Sequence, residues 1–223
     1  MIKMYPENNL LIAEEKDFMK AIDLTFLKQG QLPSLILKGE QVENHEGLNV
    51  LISHGVIIKR IENMAKELLE KLDNKKEFNV LVVKDQGIPF YERLLGYIRQ
   101  LSPEIRINTS YVDPKKYNPK LPFEKTGNGF DMHYEIENKE IIVINSSANT
   151  LNTGIRIKGA IRNRHAKRVL FWSLVSKPAM YVHPGFVLDN TGFKLPSMYV
   201  LGWGMYVEGN YKDLRNISYS LVL

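Results

Sequence analysis

The chain has 223 residues, 44% of them hydrophobic, which is enough to bury one sizeable core and predicts one domain with an extension. Thirty Lys and Arg against 25 Asp and Glu give a formal net charge of +5, which suits an acidic partner but is also common in proteins without one. The absence of cysteine excludes disulfides, thiolate metal sites and cysteine nucleophiles. No apolar run has the length of a membrane span or of a signal peptide, so we expect a soluble, intracellular protein, located in the cytoplasm.

The first 50 residues are predicted to form an N-terminal arm or hood, because short apolar clusters alternate there with polar turns. From Leu51 the pattern sharpens, and residues 51–223 are expected to form the main domain. Ser53 is a plausible cap for an amphipathic helix that ends near Asp73. The apolar positions of this helix recur at helical spacing: Ile57, Ile61, Met64, Ala65, Leu68 and Leu72.

A strand, a turn and a second helix follow. Phe78–Val83 has the composition of a buried strand, Lys84–Gly87 predicts a turn, and Pro89 opens a helix. The expected inward face of this helix consists of Phe90, Leu94, Leu95, Ile98 and Leu101. Ile105–Val112 alternates like a strand. Pro114–Asn128 is rich in Pro, Gly and Lys and too long for a tight turn, which predicts a mobile loop.

The second half of the chain continues the alternation of strands and helices. The expected strands are Met132–Ile136, Ile141–Ile144, Val169–Val175, a short one near Phe186 and another at Met198–Leu201, and the expected helix is Ile155–Arg164. Strands that alternate with helices predict an α/β fold, with a mostly parallel sheet flanked by helices.

The segment EIIVINSSANTLN, from Glu140 to Asn152, has the layout of a phosphate cradle, in which a buried strand, a tight polar loop and a helix follow one another. Its loop offers side-chain hydrogen bonds to sugar hydroxyls, and the start of the following helix attracts anions. The candidate residues are Asn145, Ser146, Asn149, Thr150, Thr153 and Gly154. The alternative interpretation is a polar loop that satisfies its own backbone.

From about Leu51 to Leu214 the sequence resembles the hypoxanthine-guanine phosphoribosyltransferase family, whose members have the type I phosphoribosyltransferase fold. In that family the strand is followed by two adjacent acidic residues, two apolar residues and Asp-Thr-Gly-Lys-Thr. Here Asn145 and Ser146 replace the acidic pair, Asn149 replaces the Asp, and Thr150-Leu151-Asn152-Thr153 replaces Thr-Gly-Lys-Thr. The resemblance implies the family's fold with a small hood, and the replacements imply a degenerate site without catalytic residues.

The resemblance places two lysines on the pyrophosphate side of the site. Lys84 matches the Lys of the family's Leu-Lys-Gly-Gly turn, although Asp85 and Gln86 stand where the two glycines would be and one residue is inserted. Lys212 takes the place of an Arg that reaches pyrophosphate. On the loop that closes over the family's site, Tyr117 matches the second residue of a Ser-Tyr pair. The alternative for Lys84 is a solvated surface lysine.

On the base side, FKLPSMYVLGWGMYVEGNYKDL resembles the family's base-binding stretch. Tyr199 takes the place of the aromatic residue that stacks on the purine, whereas Tyr206 stands where the family has an Asp. The purine-contacting Lys of the family aligns with Ser176, and a shift of one residue would bring Lys177 to that position.

A dense basic run between Arg156 and Arg168 has no counterpart in that family. It is either a solvated helix face or a docking surface for an acidic protein, with RNA as a less favoured alternative. The docking candidates are Arg156, Arg162, Arg164 and Lys167. The histidines show no metal-ligand spacing, so no metal site is predicted.

The departures from the family fall on charge-bearing positions, while the apolar framework is kept. We therefore favour a phosphoribosyltransferase-like protein that has lost catalysis and serves as a structural or interaction subunit of a larger assembly, with proteins rather than nucleic acid as partners and no cofactor. The sequence does not decide whether the chain forms homo-oligomers. One alternative is a divergent purine phosphoribosyltransferase that uses phosphoribosyl pyrophosphate and Mg²⁺, with acid/base groups from Asp113, Asp131 or Asp213. The other is a non-catalytic sensor with weak nucleotide or phosphate binding.

Overall fold

The computed structural model describes residues 2–5, 9–28, 32–44, 47–72, 75–116, 129–183 and 185–220. Its helices are α1 (His54–Leu72), α2 (Ile88–Leu101) and α3 (Asn152–Arg162), with short 3-10 helices at Glu15–Met19 and Pro178–Met180. Its strands are β1 (Lys3–Tyr5), β2 (Leu10–Ala13), β3 (Ile22–Asp23), β4 (Ser34–Leu37), β5 (Asn49–Ile52), β6 (Glu77–Val83), β7 (Arg106–Val112), β8 (Phe130–Asp131), β9 (Glu140–Ala148), β10 (Arg168–Ser176), β11 (Asn190–Lys194) and β12 (Ile217–Tyr219).

The main sheet has the strand order β3-β11-β10-β9-β6-β7-β8, and its pairings are parallel except for the last, between β7 and β8. Alternate residues of the central strands face opposite sides. Val80 and Ile142 belong to the apolar cluster that contains α1 and α2, whereas Leu81 and Val143 pack in the cluster that contains α3. The predicted α/β fold, with a mostly parallel sheet flanked by helices, is confirmed.

The two long helices follow their apolar periodicity closely. Ser53 caps α1 as expected, because its hydroxyl accepts a hydrogen bond from Val56 N at 3.5 Å and its carbonyl accepts one from Ile57 N at 3.1 Å. Every apolar position predicted for α1 is buried. In α2 the prediction for Leu101 is wrong: it is the last residue of the helix, where the chain turns away, and 47% of it is exposed.

Three predicted strands are absent from the described residues. Residues 132–136 form no strand, and β8 lies just before them; Ile136 is nonetheless buried, so the apolar alternation there reflects core packing without sheet pairing. No strand occurs near Phe186, which packs edge-on against Phe171. In Met198–Leu201 the pairing is reduced to one bridge between Leu201 and Ser218. Most of the loop predicted at 114–128, including Tyr117, lies outside the described residues.

The N-terminal segment forms most of a second sheet, with the strand order β1-β2-β4-β5-β12. The final strand, β12, pairs antiparallel with β5. Tyr219 strengthens this closure, because its hydroxyl accepts a hydrogen bond from Leu32 N at 2.7 Å and donates one to Leu32 O at 3.2 Å. A domain boundary near residue 50 remains a prediction, and β5 runs across it. None of the described helices is both long enough and apolar enough to traverse a membrane.

A fully buried arginine joins three parts of the chain. Arg60 of α1 is 0% exposed, and its guanidinium donates to Phe18 O at 2.9 Å and to Thr191 O at 3.2 Å. It also forms an ion pair with Glu67, one of whose oxygens accepts a hydrogen bond from Asn190 at 2.6 Å. Backbone carbonyls and one carboxylate thus offset a charge that would otherwise be costly to bury.

We expect Glu67→Ala to lower the free energy of unfolding by about 3 kcal/mol, because it leaves the Arg60 charge buried without its carboxylate. The matched control is Glu62→Ala. Glu62 is similarly exposed, but its partners Lys59 and Lys66 are themselves exposed, so the expected loss is below about 1 kcal/mol. Urea titration of both variants measures the difference. Equal losses would show that the buried pair has no special weight.

Candidate functional site

Three of the predicted site segments meet at the edge of the sheet where the parallel strands β6, β9 and β10 end. The Lys84–Gly87 turn follows β6, the polar loop follows β9, and Lys177 follows β10. In open parallel sheets ligands bind outside the carboxyl ends of the strands. The topology therefore gathers three candidate segments from distant parts of the sequence.

The predicted polar loop is wrong in its first part: β9 extends to Ala148 and pairs with β10 as far as that residue, so only residues 149–151 form a loop before α3. The polar segment 145–151 surrounds a small cavity of about 140 Å³, and several of its side chains bond within the segment. Asn145 donates to Ser147 O at 2.8 Å, and the Ser147 hydroxyl donates to Asn149 Oδ1 at 2.8 Å. The Ser146 hydroxyl donates to Gln86 O. The lining residues are Gln86, Asn145, Ser147, Ala148, Asn149, Thr150, Leu151, Thr153, Gly154 and Phe171. None of these described lining residues is acidic, so the cavity holds no negative charge of its own.

One acceptor in this cavity stays unused. Asn145 is 4% exposed, and its Oδ1 has no hydrogen-bond partner among the described residues. A buried acceptor without a donor costs free energy, and such atoms often mark a missing ligand or water. The group that would complete it must donate a hydrogen bond, as a hydroxyl does.

Leu151 shapes the entrance to α3. It has φ +69°, a left-handed conformation that is costly for a side chain other than glycine, and it is 4% exposed. It occupies the position that corresponds to the glycine of the family's Thr-Gly-Lys-Thr. A buried leucine at this position leaves less room than a glycine would. The cavity is smaller than the roughly 300–1,000 Å³ typical of small-molecule sites.

The segment after β10 covers the start of α3. A Cβ on Gly154 would lie 2.9 Å from the Phe186 ring, so this ring lies directly on the helix backbone. Val182 N donates to Thr150 O at 3.5 Å, and His183 Nε2 lies 2.8 Å from Asn152 Oδ1. The sequence interpretation missed Phe186 because no local pattern reveals a contact with a distant glycine.

The first of the two predicted pyrophosphate lysines is held by neighbouring side chains. Lys84 Nζ lies 3.3 Å from Asp131 Oδ2 and 5.9 Å from the centre of the Tyr111 ring. Its turn is tightly packed, since a Cβ on Gly87 would lie 2.6 Å from Ile144 O and one on Gly204 2.3 Å from Gln86 O. The Lys84 charge is thus partly neutralised by a carboxylate.

Lys212 lies elsewhere. It is exposed and lines a separate cavity of about 500 Å³ together with Arg93, Trp203 and Arg215. Within the described part of the chain, the two predicted pyrophosphate lysines line no common cavity. The sequence interpretation also missed Lys115, whose Nζ donates to the hydroxyl of Tyr206 at 2.9 Å.

On the base side, Tyr199 is 72% exposed, whereas Lys177 is 4% exposed. Burial lowers the pKa of Lys177 to about 8. Ser176, the alternative position, is buried and its hydroxyl donates to Phe193 O at 3.4 Å. Of the two adjacent residues, Lys177 therefore offers a titratable donor next to the polar loop, to which its backbone is joined by a hydrogen bond from Lys177 N to Ala148 O at 3.0 Å.

The basic run forms the outer side of α3 and the turn that follows. Arg156, Arg162 and Lys167 are exposed. Arg164 is half-buried beside a cavity that it shares with Glu135 and Glu137. The run therefore has acidic neighbours on one flank.

The described residues contain no group of three or more His, Asp or Glu side chains arranged to hold a metal ion. A hard cation such as Mg²⁺ prefers carboxylate oxygens. The cavity at α3, which is lined by amides, hydroxyls and apolar groups, does not fit such an ion.

Comparisons with known proteins give the same fold. No family model matches the chain. Over 173 residues it is 24% identical to human phosphoribosyltransferase domain-containing protein 1, covering 75% of this chain and 76% of that protein. It is also 24% identical over 173 residues to human hypoxanthine-guanine phosphoribosyltransferase, covering 75% and 78%.

Among solved structures, a mutant hypoxanthine phosphoribosyltransferase of Trypanosoma cruzi complexed with the product IMP superposes with a TM-score of 0.70 at 16% identity, covering 80% of this chain and 94% of that one. The Staphylococcus aureus hypoxanthine phosphoribosyltransferase superposes with a TM-score of 0.65 at 18% identity, covering 79% and 93%. The chain is a distant relative of the hypoxanthine-guanine phosphoribosyltransferases and has their type I phosphoribosyltransferase fold.

Proposed function

We propose that this phosphoribosyltransferase-like protein has lost catalysis and serves as a structural or interaction subunit of a larger cytoplasmic assembly. The observation that carries the proposal is the cavity at α3, whose described lining includes no carboxylate. Polar side chains around the cavity also bond with one another, since Asn145 donates a hydrogen bond to Ser147 O and the Ser147 hydroxyl donates one to Asn149.

The chemistry of the family explains why the carboxylates matter. Transfer of a phosphoribosyl group passes through an oxocarbenium-like state, which nearby negative charge stabilises. Asn145, Ser146 and Asn149 can bind hydroxyls but cannot supply that charge. Loss of a general base alone costs about a hundred- to ten-thousandfold in rate. The electrostatic partner of the developing cation is missing here as well.

The enzymatic alternative needs acidic groups from other parts of the chain, and none of its candidates lines the cavity at α3. Asp131 pairs with Lys84. Asp113 accepts a hydrogen bond from Lys115 N at 3.0 Å, and Asp213 lines the separate cavity beside Trp203. These positions count against a substitute acid or base.

A second candidate function, nucleotide or phosphate binding without turnover, is favoured by the unused Oδ1 of Asn145. A ribose hydroxyl would complete that acceptor, and the N-terminus of α3 would attract a phosphate. Thermal-shift measurements with IMP, GMP and inorganic phosphate separate the two candidates, because a ligand that binds only the folded state raises the melting temperature.

We expect no turnover of hypoxanthine or guanine in the presence of phosphoribosyl pyrophosphate and Mg²⁺, because no negative charge faces the site of the developing cation. Product formation followed by chromatography is the measurement. Steady turnover that Lys84→Ala or Lys212→Ala abolishes would contradict the proposal, since loss of activity in a variant excludes a contaminating enzyme.

We expect Mg²⁺ to bind with a dissociation constant of about 1 mM or weaker, because carboxylate oxygens are absent from the cavity lining. Isothermal titration calorimetry without nucleotide tests this. Asn149→Asp is the matched variant, since it restores one carboxylate on the partly exposed loop and should tighten binding. Micromolar affinity of the unmodified protein would refute the expectation.

For the interaction role, we propose docking through Arg156, Arg162, Arg164 and Lys167. Reversing the charges of Arg162, Arg164 and Lys167 to Glu should abolish co-purification with native partners. Reversal of the exposed Arg162 and Lys167 should change the melting temperature little, because surface charges contribute little to folding, whereas the half-buried Arg164 beside Glu135 and Glu137 should account for most of any decrease. Pull-down from native extract and thermal melting are the two measurements. A triple variant that still assembles normally would refute this docking role, and an unfolded one would assign these residues to the fold.

A further inference from the structure

Another cavity, of about 350 Å³, lies at the opposite edge of the main sheet, where β6, β9 and β10 begin. Its floor is apolar and buried, and consists of Leu68, Leu72, Phe78, Ile142 and Leu170, each at most 9% exposed. Its rim carries five cations: Lys71, Lys75, Lys139, Lys167 and Arg168. We call this cavity and its rim the basic cleft.

The rim keeps a surplus of positive charge. Its five cations face three carboxylates, those of Glu77, Glu140 and Asp189. Glu140 pairs with Lys75, and Glu77 lies 3.9 Å from Lys139. The Asp189 carboxylate accepts a hydrogen bond from a backbone amide at 2.8 Å. The carboxylates of the rim are therefore already engaged.

Three rim cations remain available to a partner: Lys71, Lys167 and Arg168. Lys71 is exposed, lies 5.3 Å from the centre of the buried Trp172 ring and donates to Asp189 O at 3.4 Å. Lys167 and Arg168 are exposed, and their charges lie near Glu140, whose pKa is lowered mainly by its hydrogen bond with Lys75 and further by Arg168 and Lys167. Lys71 lies on α1, Lys167 in the turn before β10 and Arg168 at the first position of β10, so they border the cleft from separate segments.

Backbone hydrogen bonds fix the segments that surround the basic cleft. Lys167 N donates to Lys139 O at 2.9 Å, and Asn138 N donates to His165 O at 3.0 Å, so the turns before β9 and β10 are joined by their backbones. Asn79, on the cleft wall, donates to Glu140 O at 3.2 Å. A preorganised framework of this kind reduces the entropy cost of binding.

We propose that the basic cleft binds an acidic segment of a partner protein, with one bulky apolar side chain of that segment entering the cavity and its carboxylates pairing with Lys71, Lys167 and Arg168. This inference rests on the proposed interaction role and identifies the class of partner. The apolar floor favours an apolar side chain over a phosphate.

The test is a fluorescence-anisotropy titration of the full chain with a labelled peptide in which glutamates surround one phenylalanine. Lys71→Glu combined with Arg168→Glu should weaken binding at least about tenfold, because each reversal turns an attraction into a repulsion. The matched control reverses two exposed lysines outside the main sheet, Lys28→Glu with Lys38→Glu, and should change binding less than about twofold. Replacing the phenylalanine of the peptide by alanine should also weaken binding about tenfold or more, because burial of the ring is lost.

The outcomes are distinct. Equal loss in both double variants would mean that only net charge matters, and an unchanged affinity of the alanine peptide would mean that the cavity is not used; either result overturns the proposal. Tighter binding of a single-stranded RNA that competes with the peptide would overturn it in favour of nucleic acid. Circular dichroism melting identifies a variant that fails to fold, and Lys71→Ala with Arg168→Ala then replaces it, with weaker binding again expected. Purine turnover by the wild-type chain would refute the proposed function, whereas the peptide titration would still show whether the basic cleft binds an acidic segment.

Discussion

The position of β9 in the middle of a parallel sheet is the constraint on which the site depends. β9 pairs with β6 on one side and β10 on the other, and its alternate residues pack into two separate apolar clusters. A strand buried on both faces and both edges cannot shift its register without exposing its apolar side chains. The chain therefore leaves the sheet after Ala148, beside the end of β10, whatever the loop residues are. Packing of the apolar strands alone thus fixes the position of this edge of the sheet.

The same constraint explains how polar residues at this edge are satisfied without a ligand. The Ser146 hydroxyl donates to the carbonyl of Gln86 in the neighbouring turn, and Lys84 pairs with Asp131 on the outer strand β8. Phe186 covers the start of α3. Each contact uses a group that an active site would keep available for substrate, so the edge becomes a packed surface. Asn145 Oδ1 is an exception, since it has no hydrogen-bond partner among the described residues.

Much of this architecture follows from local pattern, and what does not follow depends on distant contacts. The periodicity of Ile57 to Leu72 predicts α1 and its buried face because burial of a helix side is a local property. The pairing of β12 with β5 joins residues far apart in sequence, so no local sequence pattern predicts it. The apolar alternation at 132–136 predicts a strand that does not form, because core packing produces the same pattern. For the site, the sequence predicts the missing carboxylates directly, but not that Phe186 lies on Gly154 or that Lys212 faces another cavity.

The two edges of the main sheet are physically separate, and this separation gives the fold freedom to change its function. Residues at the carboxyl edge, such as Asn149, lie beyond the ends of the strands, while Lys71 and Arg168 lie where those strands begin. Charges at such a distance are largely screened from each other in physiological salt, where the Debye length is about 8 Å. Changes of charge at the carboxyl edge therefore have little effect on the electrostatic free energy of groups at the amino edge. A basic surface there can be selected for binding while the framework of apolar strands, stabilised by the buried Arg60 and its carbonyl partners, holds both edges in place.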